Sequence, residues 1–342
     1  MSAIELLPPG TGPHDPAWHE KRRAGVTASE IAAVMGLSKW ASPFSLYWQK
    51  VNGWTTETND DMSTGTFLED TIADWWLTHG DPLENLADGL AGLYAHPDRP
   101  WQLATPDRLL YLPCDLCDGT GGAGLDPCAD CMMAGYRGDD LVALVECKWV
   151  AYSWDGWGEP GTDEIPVYYR AQVLWQADVL GVKTVYVAAL GPGGFRCYVV
   201  HVDERAEEDL RVMRAAGQDF VRRLEEGDAP DLDSHSATVG ALVRLHPQAG
   251  AGDVEVSLEL AERYRLARLD RKAAEERVAL CEVEIRAALG DEFNRAVRGK
   301  RLVASRSIYR QSGDSAELTS LEDEWPVVDR LTPGQKLETP YA

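Results

Sequence analysis

LVALVECKWV, residues 141–150, reads as a strand built for burial into which charge has been placed. The run is apolar and rich in Val, a residue enriched in strands. Side chains two residues apart share one face of a strand, so Glu146 and Lys148 point the same way. A charged pair in such a setting is costly unless it is paired or put to use. Upstream, Thr105-Pro-Asp107 precedes a second apolar strand. An Asp and a Glu offer the hard oxygens that Mg2+ or Mn2+ prefers, with water and a substrate phosphate completing the shell. Lys148 can orient or deprotonate an attacking water, and the backbone carbonyl of Cys147 can add a ligand. A metal so held would activate water and offset charge building up on phosphorus. Taken alone, D…E-x-K is equally the pattern of a buried salt bridge between strands.

Working outward, VYVAAL (185–190) and FRCYVVHV (195–202) read as strands joined through Gly191-Pro-Gly-Gly194, a hairpin. Pro166 to Leu180 and residues 204–224 read as helices. The first 80 residues read as helices with clear punctuation. Asp15-Pro16 opens one, Thr27-Ala-Ser-Glu30 has capping-box spacing ahead of a helix that Gly36 stops, and Ser42-Pro43 opens another that ends at Asn52-Gly53. Phe67 to about Thr78 is amphipathic, with Phe67, Ile72, Trp75 and Trp76 expected to pack.

Five segments come in a fixed order. They are Trp18-His-Glu-Lys-Arg22 through Ser29-Glu30, Gly65-Thr-Phe-Leu-Glu69, Thr105-Pro-Asp107, Glu146-Cys-Lys148, and Tyr169-Arg-Ala-Gln172-Val-Leu-Trp-Gln176. That series resembles the phage lambda exonuclease and YqaJ-type viral recombinase family, within the PD-(D/E)XK nuclease superfamily, over about residues 14–225. The resemblance implies an α/β fold with a restriction-endonuclease-like core, a mixed central sheet flanked by helices. It implies that Asp107 and Glu146 ligate metal, that Lys148 is the catalytic lysine, and that Glu69 supports the metal site. Gln172 would touch the reacting water or phosphate. Arg22 and Ser29 would hold the 5′-phosphate of a DNA end, in keeping with the two-donor grip of arginine and a serine near a helix N-terminus. Two features depart from the pattern. Arg108 stands where a small glycine is usual, and Asp107 and Glu146 are 39 residues apart, roughly twice the family's spacing.

The surplus holds LPCDLCDGTGGAGLDPCADC, that is Cys114-x2-Cys117-x10-Cys128-x2-Cys131. Two CxxC turns can present four thiolates to one tetrahedral Zn2+, and four cysteine ligands indicate a structural site rather than a catalytic one. An iron–sulfur cluster is the competing reading. The stretch is locally similar to the zinc-binding repeats of DnaJ-type chaperones.

The chain has 342 residues, 44% apolar and 26% charged, which suits about two globular domains. No run reaches the roughly 18 apolar residues a membrane span needs, and the N-terminus lacks the basic and apolar regions of a signal peptide. A cytoplasmic protein is expected, in the host cell if phage-encoded. Net charge is −23, yet residues 261–310 carry 13 Lys/Arg against 8 Asp/Glu. Binding to nucleic acid would therefore be local and end-directed rather than a general coating. The expected division is a catalytic domain over 1–226 with a zinc-type insertion at about 111–138, a linker over 227–253, a helical and locally basic extension over 254–310, and an acidic tail over 311–342. Within 257–289, read as one long helix, a 3.5-residue spacing picks out Tyr264, Ala267, Arg271, Ala274, Val278, Cys281, Ile285 and Ala288, which permits a helical hairpin or short coiled coil. Arg295, Arg298, Lys300, Arg301, Arg306 and Arg310 are candidates for DNA backbone or a protein partner, or a solvated face.

Together these readings predict an exonuclease that uses Mg2+ or Mn2+, two ions per site, and one structural Zn2+. It would degrade linear duplex DNA from the 5′ end and leave 3′ single-stranded overhangs. The resemblance implies a ring-shaped homo-oligomer, a trimer in the lambda type, and a single-strand annealing partner. A weakly active zinc-bearing scaffold that binds DNA ends, and a structure-specific repair or defence nuclease, remain open as alternatives.

Overall fold

The computed structural model describes residues 3–12, 14–55, 58–79, 87–123, 126–248, 250, 252–290, 293, 295–298, 301–307 and 317–320. It divides into two compact units, Met1–Pro247 and Gln248–Ala342. The first unit contains, in order, β1 (Ile4–Leu7), α1 (Pro16–Arg23), β2 (Val26–Thr27), α2 (Ala28–Val34), α3 (Pro43–Asn52) and α4 (Asp60–His79). There follow β3 (Ala87–Leu90), β4 (Leu93–His96), β5 (Arg99–Ala104), β6 (Arg108–Pro113), β7 (Gly122–Ala123), β8 (Asp126–Pro127) and β9 (Tyr136–Trp149). The unit closes with α5 (Val167–Leu180), β10 (Thr184–Gly191), β11 (Gly194–His201), α6 (Glu204–Glu226) and α7 (Ser236–Leu245).

The expected mixed sheet is present, with order β11-β10-β9-β6-β3. Its centre is β9, parallel to β10 and antiparallel to β6. Alternation along β9 splits the interior in two. Val145 and Cys147 pack with Ile72, Ala73 and Trp76 of α4 on one face, while Leu144 packs with Val173, Leu174 and Ala177 of α5 on the other. Helices α2 and α6 extend that second layer through Ile31, Leu210 and Met213. A smaller sheet, β1-β4-β5-β2, lies alongside in the first unit. The hairpin read at 191–194 is formed, with Gly193 and Gly194 at φ +86° and +119°, a region glycine enters freely.

The caps fall where the sequence puts them. Asp15 accepts from the amide of Ala17 at 2.8 Å, Thr27 and Glu30 form a capping box, and Ser42 accepts from Ser45. Gly53 ends α3 at φ +64°, and an added Cβ there would strike the Arg23 guanidinium. Phe67 departs from its reading: Ile72 and Trp76 are fully buried, Trp75 stacks on Phe195 at 4.3 Å, but Phe67 is 82% exposed. At 100° per residue it lies about 140° around α4 from Ile72, off the packed face.

The segment read as a linker over 227–253 contains α7. Its N-cap is His235, whose Nδ1 accepts from Ala237 while Nε2 meets the Ser38 carbonyl at 3.2 Å. Thr238, buried, shares a 2.6 Å hydrogen bond with Ser42. Asp233 Oδ1 accepts from the His235 amide and the Thr238 hydroxyl, and the first unit runs on to Pro247.

The second unit has α8 (Leu258–Leu289) and the antiparallel sheet β12 (Arg295–Arg298), β13 (Arg301–Ser307) and β14 (Glu317–Ser320). The single long helix is as read, not a hairpin. Residues 295–298 and 301–307 are paired antiparallel strands rather than a continuation of it, with Arg298 opposite Arg301 and Ala296 opposite Ala304. Of the expected tail, 317–320 is strand, and the rest lies outside the described residues, as do Lys300 and Arg310. No helix among the described residues is long and apolar enough to cross a membrane.

Candidate active site

Strand register brings the acidic residues together. Arg108, first in β6, pairs with Val145 of β9, so Asp107 arrives beside Glu146 and Cys147. Asp107 Oδ2 accepts the Cys147 amide at 2.7 Å. Glu146, 2% exposed, projects to the α5 side of the sheet. Lys148 projects the same way, and its Nζ donates to Glu146 Oε1 at 2.5 Å while lying 5.0 Å from the centre of the Tyr169 ring.

Two glutamines one helical turn apart complete the arrangement. Gln172 Nε2 donates to Glu146 Oε1, and Gln176 Nε2 donates to Oε2 at 2.7 Å. Residues four apart on a helix face one way, so α5 fixes both oxygens of one carboxylate. Gln172 thus contacts a carboxylate in this structure, where the resemblance assigns it to water or phosphate. The Gln176 contact had no assigned role in the sequence; its i, i+4 spacing from Gln172 was the available signal.

On the opposite face, α4 supplies Glu69 and Asp70. Arg108, buried, donates to Asp70 Oδ1 at 2.5 Å and to the Asp107 carbonyl at 2.8 Å, and lies 4.0 Å from Glu69. The departure from glycine is therefore accommodated: the long side chain runs under α4, on the face of the sheet away from Glu146.

Burial, with Glu146 and Glu69 nearby, pushes the Asp107 carboxyl well above its ordinary range. Burial and Glu146 do the same to Glu69. For Lys148, burial works against the ammonium, but Glu146 and Asp107 outweigh it and hold its pKa above the usual lysine value. Three carboxyl groups crowd a site in which Lys148 and Arg108 are the neighbouring cations. Hard oxygens are the donors a Mg2+-type ion takes, although among the described residues only the four cysteines bring three or more donor atoms within 4.8 Å of one another.

A second group lies at the start of α2. Arg22 Nη2 donates to Thr27 Oγ1 at 3.2 Å and to Ser29 Oγ at 3.0 Å, and its guanidinium covers the Trp18 ring at 4.0 Å. Lys50 Nζ, 4% exposed, donates to the Arg22 carbonyl and to Glu30, each at 2.8 Å. Burial lowers the Arg22 pKa, and Glu30 opposes that. Trp18, Thr27 and Lys50 went unassigned in the sequence, since only the fold brings them to Arg22 and Ser29.

The four cysteine sulfurs lie within 4.8 Å of one another and form no disulfide. Two separations are 3.8 Å (Cys114 to Cys128) and 3.6 Å (Cys117 to Cys131). A tetrahedron with bonds of about 2.3 Å has edges of about 3.8 Å, which these two separations match, so the four donors suit one Zn2+. Backbone amides of Cys131 and Asp130 pull the Cys128 thiol down to about 7, toward the thiolate a metal needs. The sharp turns use Gly119, Gly121 and Gly135, all at positive φ. The cluster joins the far ends of β6 and β9, where Pro113 pairs with Tyr136. Glu146 is ten residues further along β9, roughly 30 Å at 3.3 Å per residue.

Residues 17–183 match the model of the YqaJ-like viral recombinase domain. The chain is similar to the uncharacterized protein YqaJ of Bacillus subtilis (strain 168), 26% identical over 256 residues, which cover 73% of this chain and 68% of that one. Among solved structures, it is similar to an alkaline exonuclease from Laribacter hongkongensis, with 21% identity, 63% of this chain and 94% of that one covered, and a TM-score of 0.42. A phage-related exonuclease from Haemophilus somnus 129PT shows 13% identity, 59% and 96% coverage, and a TM-score of 0.37.

Proposed function

We propose, on the premise that residues 17–183 form a YqaJ-like viral recombinase domain, that this chain is a metal-dependent DNA exonuclease. It degrades linear duplex from a 5′ end and leaves a 3′ single strand for annealing or strand exchange. The observation that carries the proposal is Glu146, a buried carboxylate gripped at one oxygen by Gln172 and Lys148 and at the other by Gln176. Such restraint serves pre-organisation rather than packing.

Asp107, Glu146 and the Cys147 carbonyl would hold Mg2+ or Mn2+, two ions in the fully loaded site, with Glu69 at its edge. Bound there, the metal supplies an activated water and offsets charge on the phosphate. Glu146 and Asp107 raise the Lys148 pKa in the metal-free protein, and the ammonium orients the water and faces the phosphate oxygens. Tyr169 and Glu146 fix its direction. Arg22, Thr27 and Ser29 receive the terminal 5′-phosphate, with Trp18 stacked under the guanidinium. The four cysteines hold one structural Zn2+. A homo-oligomeric ring, a trimer, and a single-strand annealing partner in the host cytoplasm complete the reading.

The 5′-phosphate site is tested with duplexes that carry either 5′-phosphate or 5′-hydroxyl ends. A charged hydrogen bond contributes about 1.5–3 kcal/mol, so the wild type should prefer phosphate by roughly ten- to a hundredfold. Arg22→Ala should erase the preference while leaving the rate on hydroxyl ends. An unchanged preference in the variant would remove Arg22 from the role.

Metal binding should release protons. Asp107 and Glu69 have raised pKa values in the metal-free protein, and a cation binds their ionised forms. Raising the pH deprotonates them, so Mg2+ affinity should climb as the pH rises through their raised pKa values. Calorimetric titration in buffers of different ionisation heat reads the released protons; a pH-independent affinity would contradict the assignment.

A further inference from the structure

We propose that α8 is a self-association helix which pairs antiparallel with α8 of a second copy of this chain, centred between Lys272 and Ala273. The inference concerns the second unit alone and stands independently of the nuclease reading; beside a ring of three chains, a two-fold pair would join helices of separate rings.

Thirty-two residues at 1.5 Å each make α8 about 48 Å long. Among its residues only Leu289 is buried. Tyr264 is 64% exposed and Val278 46%, with Ala267 and Cys281 also exposed between and beyond them on the same stripe. An apolar stripe of this length left open to water marks a docking face.

The charges that flank the stripe identify the occupant. With Tyr264, Arg271, Val278 and Ile285 as a positions and Ala267, Ala274 and Cys281 as d positions, the g line reads Arg263, Asp270, Arg277, Glu284. The e line includes Arg268 and Glu275. Flanking charges of this kind set partner and orientation in coiled coils. In an antiparallel pair centred at 272–273, Arg263 meets Glu284 of the second copy, Asp270 meets Arg277, and Arg268 meets Glu275. Two-fold symmetry repeats each pair, and every one is attractive. The layers between them become Tyr264 on Cys281, Ala267 on Val278, and Arg271 on Ala274. Arg271 is the polar member, and its guanidinium is drawn to Glu275 of its own helix at 3.2 Å. That leaves its aliphatic stem to cover the small Ala274.

Other arrangements fail on charge. A parallel pair sets Arg263 against Arg268 and Asp270 against Glu275. Sliding the antiparallel pair one heptad sets Arg277 on its own copy or on Arg263. A second apolar line, through Leu266, Leu269, Leu280 and Val283, is flanked on one side by Arg265, Lys272 and Arg286 with no acid among them. Exposed ion pairs add little affinity each, so their part here is to choose register and direction.

The test uses the full chain. Tyr264→Cys places a thiol opposite the native Cys281 of the second copy. Oxidation with copper phenanthroline should give a covalent dimer on a non-reducing gel, and adding Cys281→Ser should abolish it. Wild-type protein, treated alike, should stay uncrosslinked. Crosslinking of the wild type through Cys281 itself would show a parallel pair and overturn the proposal, as would absence of dimer with Tyr264→Cys. Charge exchange gives a readout independent of cysteine. Arg268→Glu should weaken self-association in sedimentation velocity by at least tenfold, and Arg268→Glu with Glu275→Arg should restore it. If both variants sediment like wild type, another molecule is the occupant and the proposal fails.

Discussion

Lys148→Ala loses cleavage of linear duplex DNA by at least a hundred- to a thousandfold, about the cost of removing one pre-organised charge donor from a transition state. The expectation follows from the position of the ammonium, shared between Glu146 Oε1 and the Tyr169 ring. Nothing else in the described site offers a cation on that face of the sheet, since Arg108 is committed to Asp70 on the other. Glu146 keeps hydrogen bonds to Gln172 and Gln176 in the variant, so the fold survives. The metal-free variant should melt earlier than wild type, because the crowded carboxylates lose their neighbouring cation, and Mg2+ should narrow the difference. Single-turnover rates at saturating Mg2+, with melting curves taken alongside, separate the two effects. A rate within tenfold of wild type would deny Lys148 its role.

Cys114→Ser empties the zinc site and lowers the melting temperature by about 5 °C or more, since each 1 kcal/mol shifts a unit of this size by roughly 2–4 °C. Cys114 is fully buried, and its sulfur lies 3.8 Å from that of Cys128. Without a metal, the described part of the loop between β6 and β9 is held by short-range hydrogen bonds, among them Cys114–Gly135 and Cys128–Gly121, and by the two-residue pairing of β7 with β8. Elemental analysis should give one zinc per wild-type chain and none in the variant, and limited proteolysis should cut the variant between 114 and 135. Because the cluster sits at the far end of β9, DNA cleavage by the folded fraction should persist. Equal metal content and equal melting in the two proteins would remove the structural zinc.

How much of this was legible in the sequence depended on whether the signal was local. Period-two alternation was enough to put Glu146 and Lys148 on one face, and the caps at Asp15, Thr27 and Ser42 marked helix starts because capping is decided within four residues. The CxxC spacing likewise contains its own geometry. Contacts made by folding were different. Gln176 shows its grip on Glu146 only once α5 is laid on β9, and Lys50 meets Arg22 across 28 residues of chain. Arg108 looked like an obstacle beside Asp107, and only the course of α4 shows where its side chain goes. Phe67 and the segment 227–253 misled for a shared reason: composition reported hydrophobicity or turn content, while burial was set by which helix face met a neighbour. In the second unit, 295–298 and 301–307 are strands beyond the end of α8, where a helical extension to residue 310 was expected.

The central claim is directional hydrolysis of DNA ends, and duplex labelled at each 5′ and 3′ terminus in turn, incubated with Mg2+, tests it most directly. A 5′ label should be released at once as small products from a phosphorylated end. The 3′ label of the same duplex should be retained on long single strands, and Lys148→Ala should release neither. Loss of the 3′ label first, or no hydrolysis with either Mg2+ or Mn2+ by a protein that still binds DNA ends, would contradict it.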